Sequence, residues 1–429
     1  MENMRGETGP INERRNYRYD ALVIGGGPAG ASAAALLAQA GWSTALVEES
    51  VFPRRKVCGE FVSASNLPLL RALGVSEEYV RLAGPSVERV GLFTGAACLS
   101  APMPGPPGSA QPFGRALGRD QLDSLLLNRA RDLGARIFQP YRATEIARVE
   151  TGYQCLIQSA AGDEEQRIIA GVIIAAHGSW KRGTLATQSV RPTARNSDLF
   201  GFKALFSGDR LTPGLMPLLA FPGGYGGMAL TDGGRLSFSC CIRRDRLATV
   251  RALHPEMSAG QATFEHILDS CKGVRDALSP ARLEDRWLAI GPLQPGIRVR
   301  PMGGIFLVGN AAGEAHPAIA EGISIALQSA WILSRLLIDH RDEILIAGRT
   351  DAVAREYTRL WRKRFTARIR VSAIVASFAM RAPHNRWLLP IIRRVPQILT
   401  YGARWSGKAL DWTDGGRMTE DRGRLKDEG

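Results

Sequence analysis

Gly25-Gly26-Gly27-Pro28-Ala29-Gly30 lies between a short apolar run, Ala21-Leu22-Val23-Ile24, and an alanine- and leucine-rich stretch from Pro28 to Ala40 closed by Gly41. The apolar run is short and β-branched, as expected of a buried parallel strand. The following stretch predicts a helix, with Pro28 in its first turn and Gly41 as its stop. A second strand is predicted over Thr44-Ala45-Leu46-Val47, ending at Glu48. In this setting each glycine of the G-x-G-x-x-G pattern has a task. Gly25 allows the tight turn, Gly27 lets backbone approach a diphosphate, and Gly30 lets helix and strand pack closely. The helix start offers unpaired N–H groups and a partial positive charge to the phosphates. Glu48 stands at the spacing of a ribose-binding carboxylate, and no neighbouring arginine suits a 2′-phosphate there.

Composition sets the wider bounds. The 429 residues are 45% hydrophobic and 22% charged, which is ordinary globular composition with material for more than one structural unit. The net charge of +14 invites a nucleic-acid or membrane reading, but seven of the 55 basic residues are lysine, which reads as a general arginine bias. Met1 to Asp20 is polar and contains no signal-peptide run, so a flexible arm is expected, with order beginning at Tyr19. No uninterrupted apolar run reaches membrane-spanning length. The six cysteines (58, 98, 155, 240, 241 and 271) form no C-x-x-C pair and no metal-ligand spacing, so no metal and a cytoplasmic location are expected.

Along the chain, proline and glycine crowd Pro102 to Gly108, predicting a loop, and a helix is expected over Asp120 to Leu133. Ile173 to Ala176 reads as another buried strand. Strand-like runs at Leu199–Phe206, Pro217–Phe221 and Arg235–Cys241, with a helix at Ala259–Cys271, predict a separate module, in which Gly223–Gly227 reads as a close-packed turn. Gly304–Val308 then returns as a strand, followed by a helix from Gly322 to Leu337. The expected fold is α/β. A Rossmann-type dinucleotide-binding domain is built from 19–85, 115–190 and 283–345. A β-rich substrate domain from 86–114 and 191–282 is inserted, a helical C-terminal region covers 346–415, and 1–18 and 416–429 are flexible tails.

Three further segments carry a resemblance. Pro53-Arg54-Arg55-Lys56-Val57-Cys58-Gly59-Glu60 resembles the P-x-x-K-x-C-G-E/G segment of geranylgeranyl-reductase-like flavoproteins. Gly118-Arg119-Asp120-Gln121-Leu122-Asp123 resembles the arginine-bearing helix start that borders the flavin in that superfamily. Gly309-Asn310-Ala311-Ala312-Gly313, with Pro317 and Glu321-Gly322-Ile323, resembles its second flavin motif. Tyr19 to Leu337 is thereby similar to the group that includes geranylgeranyl reductases, aromatic hydroxylases and flavin-dependent halogenases, of p-hydroxybenzoate-hydroxylase-type fold. The resemblance implies FAD as cofactor, held by Gly25, Gly27, Pro28, Ala29, Gly30, Glu48, Glu49, Arg55, Lys56, Cys58, Arg119, Gly309, Asn310, Ala311, Ala312, Gly322 and Ile323. The N-terminal dipole of the helix at Gly322 would stabilise reduced flavin. Asn310 stands where relatives carry aspartate, Ala320 where they carry glycine, and His177-Gly178 where they often carry Asp-Gly.

No second G-x-G-x-x-G unit sits between strand and helix, so NAD(P)H is expected to dock transiently as electron donor. The leading expectation is an NAD(P)H-driven monooxygenase acting on an apolar aromatic, polyketide or isoprenoid-like substrate. The alternative is a carbon–carbon double-bond reductase of the geranylgeranyl reductase type, toward which Lys56-x-Cys58-Gly59-Glu60 leans. A third reading is a flavin-fold lipid-binding protein without catalysis. The tryptophan-halogenase pattern W-x-W-x-x-P is absent. Cys58 and Glu60 are the candidate catalytic residues, with Cys58 as substrate contact or proton donor and Glu60 assisting proton transfer. His177 and His316 are read as structural.

The partners expected are a lipophilic small molecule and no nucleic acid. Arg359, Arg362, Lys363, Arg364 and Arg368 alternate with Tyr357, Leu360, Trp361 and Phe365, and apolar and basic residues follow to Thr400. This pattern describes equally a helix lying in a membrane interface, giving peripheral membrane contact, and one packed over the flavin domain.

Overall fold

The computed structural model describes residues 16–179, 183–188, 193–381 and 388–408. Its first layer is a seven-stranded sheet. Strands Arg136–Phe138, Thr44–Val47, Asn16–Ile24 and Glu165–Ala175 lie side by side and parallel, and Ile305–Leu307 pairs parallel with the end of Glu165–Ala175. Gly152–Ser159 and Tyr141–Val149 extend the sheet as an antiparallel meander. Parallel strands need crossovers and are buried on both faces, which is why Leu22, Val23, Ile173 and Ile174 are all apolar and fully buried. Helices Pro28–Gln39, Arg119–Asp132 and Gly322–Asp339 pack together on one face.

The first strand begins at Asn16, earlier than the expected Tyr19, because extended residues 16–19 pair with Arg167–Ala170. Residues 1–15 of the arm, and 409–429 with the end of the C-terminal region, lie outside the described residues. Helix Gly322–Asp339 has the length and composition of a membrane span, unlike what uninterrupted apolar runs suggested, yet it is a core helix packed on Pro28–Gln39.

The second layer is an eight-stranded sheet. Leu199–Ser207, Leu236–Arg243, Gly224–Leu230 and Leu215–Phe221 run antiparallel in that order. Arg89–Thr94 joins parallel to Leu215–Phe221 and pairs with Ala97–Pro102. Leu288–Ile290 pairs with Leu199–Ser207, so residues the sequence assigned to the dinucleotide domain complete this sheet instead. Gly224–Gly227, expected as a turn, forms strand. A side chain on Gly224 would meet the Phe221 ring at 2.2 Å and one on Gly226 the Ser239 carbonyl at 2.6 Å, so glycine here serves strand packing. The 30-residue helix Asp351–Met380 crosses between the layers, with Trp361, Phe365 and Ile369 in the first core and Ala376 and Ala379 against the second sheet. Short helices Leu388–Arg394 and Gln397–Ala403 then pack over Arg89–Thr94 and Ala97–Pro102.

Candidate active site

One cavity of about 1590 Å³ runs between the layers. Its polar part is lined by Gly25, Gly27, Pro28 and Ala29, by Glu48 and Glu49, and by Gly309, Asn310, Gly322 and Ile323. Lys56, Cys58, Glu60 and Arg119 line its middle, and apolar residues such as Leu92, Leu99, Met228, Leu389 and Ile392 line the rest.

The phosphate loop follows from local sequence. Gly25 has φ +108°, a conformation that side chains avoid, and its amide donates to Val47 O at 2.8 Å. A Cβ on Gly30 would stand 1.8 Å from Gly25 O, so this glycine sets the helix against the turn and does not face the cavity. Helix Pro28–Gln39 has no side-chain cap and no acid in its first turn, so its amides open onto the cavity. Glu48 Oε2 accepts from Gly26 N at 2.7 Å and Oε1 from Ser50 N at 2.8 Å. Two carboxylate oxygens offer about four acceptor sites, so one group can hold the loop and a sugar hydroxyl together.

Beside the loop lies a charge cluster. Arg119 is bidentate on the fully buried Asp123 at 2.7 and 2.8 Å, and Arg54 reaches the same carboxylate at 2.9 Å and Glu48 at 3.7 Å. Burial alone would lower the Arg119 guanidinium's proton affinity, but Asp123 and then Cys58 outweigh it, so the charge is secure. Buried Arg54 Nε has no hydrogen-bond partner among the described residues, leaving a donor beside the loop. Arg55, expected at the cofactor, instead pairs with Asp285 at the surface at 2.9 Å, because consecutive residues of an extended segment point to opposite sides. Arg54 takes the inward place.

Segment 56–60 is wedged between the two layers. Val57 packs near Gly201, Gly59 near Ser239, and Cys58 interacts with Arg119. Glu60 has φ +63° and is buried, with Oε1 accepting from Arg119 N at 3.0 Å and paired with the buried amine of Lys203. Its Oε2 has no hydrogen-bond partner among the described residues.

The second motif closes the polar part. Gly309, at φ +58°, donates to Ser329 Oγ at 2.9 Å, and a Cβ there would stand 2.9 Å from Ala29 Cβ. Ala311 and Ala312 are buried behind the motif and do not line the cavity, contrary to the cofactor role read for them; their methyls fill the core beneath Asn310. Ala320 sits at φ +51°, which explains glycine in relatives and costs an alanine about 1 kcal/mol. Helix Gly322–Asp339 also starts uncapped, and nothing lies within 4 Å of where a Gly322 Cβ would be. Glu321, fully buried, pairs with Lys408 Nζ at 3.1 Å, and that amine also donates to Ile319 O at 2.6 Å.

Tyr225, Cys241 and Glu314 line the cavity where the sequence singled out no chemistry, with His316 and Arg298 behind them. Tyr225 Oη lies 3.3 Å from His316 Nδ1 and interacts with Cys241. Burial raises the Glu314 carboxyl against the opposing Arg298, and burial lowers His316. Burial and Glu314 push the Cys241 thiol up to about 12, against a lowering contact from Tyr225. The Cys241 thiol and the His316 imidazole are therefore neutral near pH 7, and the Glu314 carboxyl holds its proton to higher pH than a solvated one. The sequence hid them because Tyr225 is embedded in glycines and its partners lie far along the chain. His177 also lines the cavity, and its ring contacts Gly178 O at 2.9 Å and Thr187 Oγ1 at 3.0 Å.

Two uncapped helix starts, an arginine cluster and a carboxylate at the end of the second strand fit a bound dinucleotide, and with this fold they define an FAD-dependent oxidoreductase. Residues 18–202 match the FAD binding domain family. Its mixed α/β fold, with an FAD-binding domain, a β-rich sheet and C-terminal helices, is that of p-hydroxybenzoate-hydroxylase-type flavoproteins. The chain is similar to the menaquinone reductase of Mycolicibacterium smegmatis, 24% identical over 352 residues that cover 75% of this chain and 77% of that one. Among solved structures it is similar to a myxobacterial chondrochloren halogenase, with TM-score 0.73 and 17% identity over 90% of this chain and 97% of that one. It is also similar to a geranylgeranyl bacteriochlorophyll reductase-like protein of Thermoplasma acidophilum, with TM-score 0.63 and 17% identity over 92% and 93%.

Proposed function

We propose that this flavoprotein reduces a carbon–carbon double bond in an isoprenoid chain, such as the side chain of a prenylated quinone. The observation that carries this reading is the placement of Cys58 and Glu60. A thiol and a buried carboxylate stand in one cavity, between the phosphate loop and an apolar chamber. Reduction of an alkene needs a hydride for one carbon and a proton for the other. When bound, FAD supplies the hydride, with NAD(P)H as transient donor. The chain supplies the rest. Cys58 Sγ, held by Glu60 N at 3.3 Å and by Arg119, is the proton source toward the substrate side. Glu60 fixes the segment through Lys203 and Arg119 N, and the apolar wall excludes water. A cavity of about 1590 Å³ exceeds the range of roughly 300–1,000 Å³ for one small ligand, leaving room for a cofactor and a long substrate together.

The similarity to a menaquinone reductase over three-quarters of both chains supports the same reading. The hydroxylase that led the sequence-based expectations ranks second, supported by the fold shared with a halogenase. Anaerobic turnover separates them. FAD-loaded protein, reduced by NADH or NADPH without oxygen, should convert a prenylated naphthoquinone to a product that stays two mass units heavier after its ring is reoxidised in air. Strict dependence of product on oxygen would sink the reductase.

A further inference from the structure

The C-terminal helices form part of the apolar wall of the cavity. Leu389, Pro390, Ile392 and Leu399 line it there, with Arg393 and Arg394. Phe378 and Ile398 belong to the same wall yet are 46% and 39% exposed, so the wall reaches the surface among them, as it also does at Gly95, Ala96 and Thr184. Along the C-terminal helices, large apolar side chains turn outward. Ile391 and Val395 are exposed, Tyr401 is 59% exposed and Trp405 75%. An apolar wall that reaches the surface beside such residues is unlike an ordinary solvated surface, where apolar side chains are scattered singly. Charge follows the same segment. Residues 357–408 contain twelve lysines and arginines and no aspartate or glutamate. Of these, Arg370, Arg381, Arg393, Arg394 and Arg404 are exposed.

We infer that this face is a docking surface for a bilayer bearing anionic headgroups. Trp405, Tyr401, Val395 and Ile391 enter the interface, the exposed arginines meet phosphates, and the apolar wall of the cavity meets the lipid. An aromatic and aliphatic face flanked by arginine is the composition that lies in a membrane interface, and a basic segment without acids is attracted to anionic lipid. A second copy of this chain would bring the same uniformly basic segment against itself, which charge opposes. The inference deepens the reading of the cavity as one for a lipophilic chain and rests on it for its biological sense. The surface itself can be tested without any substrate.

The full FAD-loaded chain is sedimented with phosphatidylcholine vesicles, with and without about one-third phosphatidylglycerol. Binding should require the anionic lipid and weaken with salt. The variant Ile391→Ser/Val395→Ser/Trp405→Ser changes only exposed side chains outside the cavity wall. It should bind at least about tenfold more weakly, with FAD content and melting temperature unchanged. Arg381→Gln/Arg404→Gln should lose the preference for anionic lipid. Absence of vesicle binding, equal binding by the apolar variant, or a dimer in solution that the same substitutions abolish would each overturn the inference. Because the vesicles contain no quinone, a failed reductase assay leaves this result standing, and the reverse holds too.

Discussion

Gly27→Ala tests the phosphate loop with the least disturbance to the protein. Gly27 has φ −71° and ψ −176°, which alanine adopts freely. The nearest atom to an added methyl is Arg119 Nη2 at 3.7 Å, an ordinary contact. Without ligand, the substitution should therefore be neutral or stabilise by about 0.4–1 kcal/mol, through a less flexible unfolded chain. With FAD the methyl projects where the diphosphate must approach the helix amides. Losing one charge-assisted hydrogen bond costs about 1.5–3 kcal/mol. At about 1.4 kcal/mol per factor of ten, FAD should bind roughly 10- to 150-fold more weakly. Titrating apoprotein with FAD by fluorescence quenching, beside thermal melts of the apoprotein, reads both quantities. Gly30→Ala is the contrast: a methyl 1.8 Å from Gly25 O should lower stability and FAD binding together. An FAD affinity for Gly27→Ala within about threefold of the parent would refute the placement of the diphosphate at this helix.

Two stability predictions follow from the buried charges. Lys203→Met leaves Glu60 buried without its partner and should cost about 3–5 kcal/mol in denaturant unfolding. Adding Glu60→Gln should recover most of that loss, and equal losses in single and double variants would show that the pair is not coupled. Glu314 gives a pH signature. Its carboxyl is raised by burial, so the stability linked to it is fully present below about pH 4.5 and lost as pH rises through the raised folded value. Glu314→Gln removes that loss, so its melting temperature relative to the parent should climb between pH 4.5 and neutrality; a constant offset would disprove the assignment.

The parts of the site that could be read from sequence are those in which chemistry and backbone share a few consecutive residues. Gly25, Gly27 and Gly30 each have a steric reason that holds within one turn, and Glu48 lies one strand beyond. Ala320 was legible as a departure, and its left-handed backbone shows what the departure costs. The pair Arg54 and Arg55 was ambiguous, since sequence alone does not say which of two adjacent residues faces inward. Lys203 was invisible for another reason. It meets Glu60 only because the inserted sheet folds back on segment 56–60, and no local pattern encodes that meeting. The grouping of Tyr225, Cys241, Glu314 and His316 has the same origin, as does the addition of Leu288–Ile290 to the second sheet.

The strand Ile305–Leu307 bears on how the molecule is made. It pairs with Ile173–Ala175, and Gly309 just beyond it packs on Ala29. A nascent chain that has released only its first two hundred residues holds the phosphate loop but lacks this strand and the helix Gly322–Asp339. The end of Glu165–Ala175 then presents an open apolar edge, the kind of surface that chaperones cover and that aggregates form on. FAD can be gripped from both sides only after the ribosome has passed residue 339, so cofactor capture is a late event in synthesis, and a fragment ending near residue 202 is an unsound choice for producing a free-standing flavin domain.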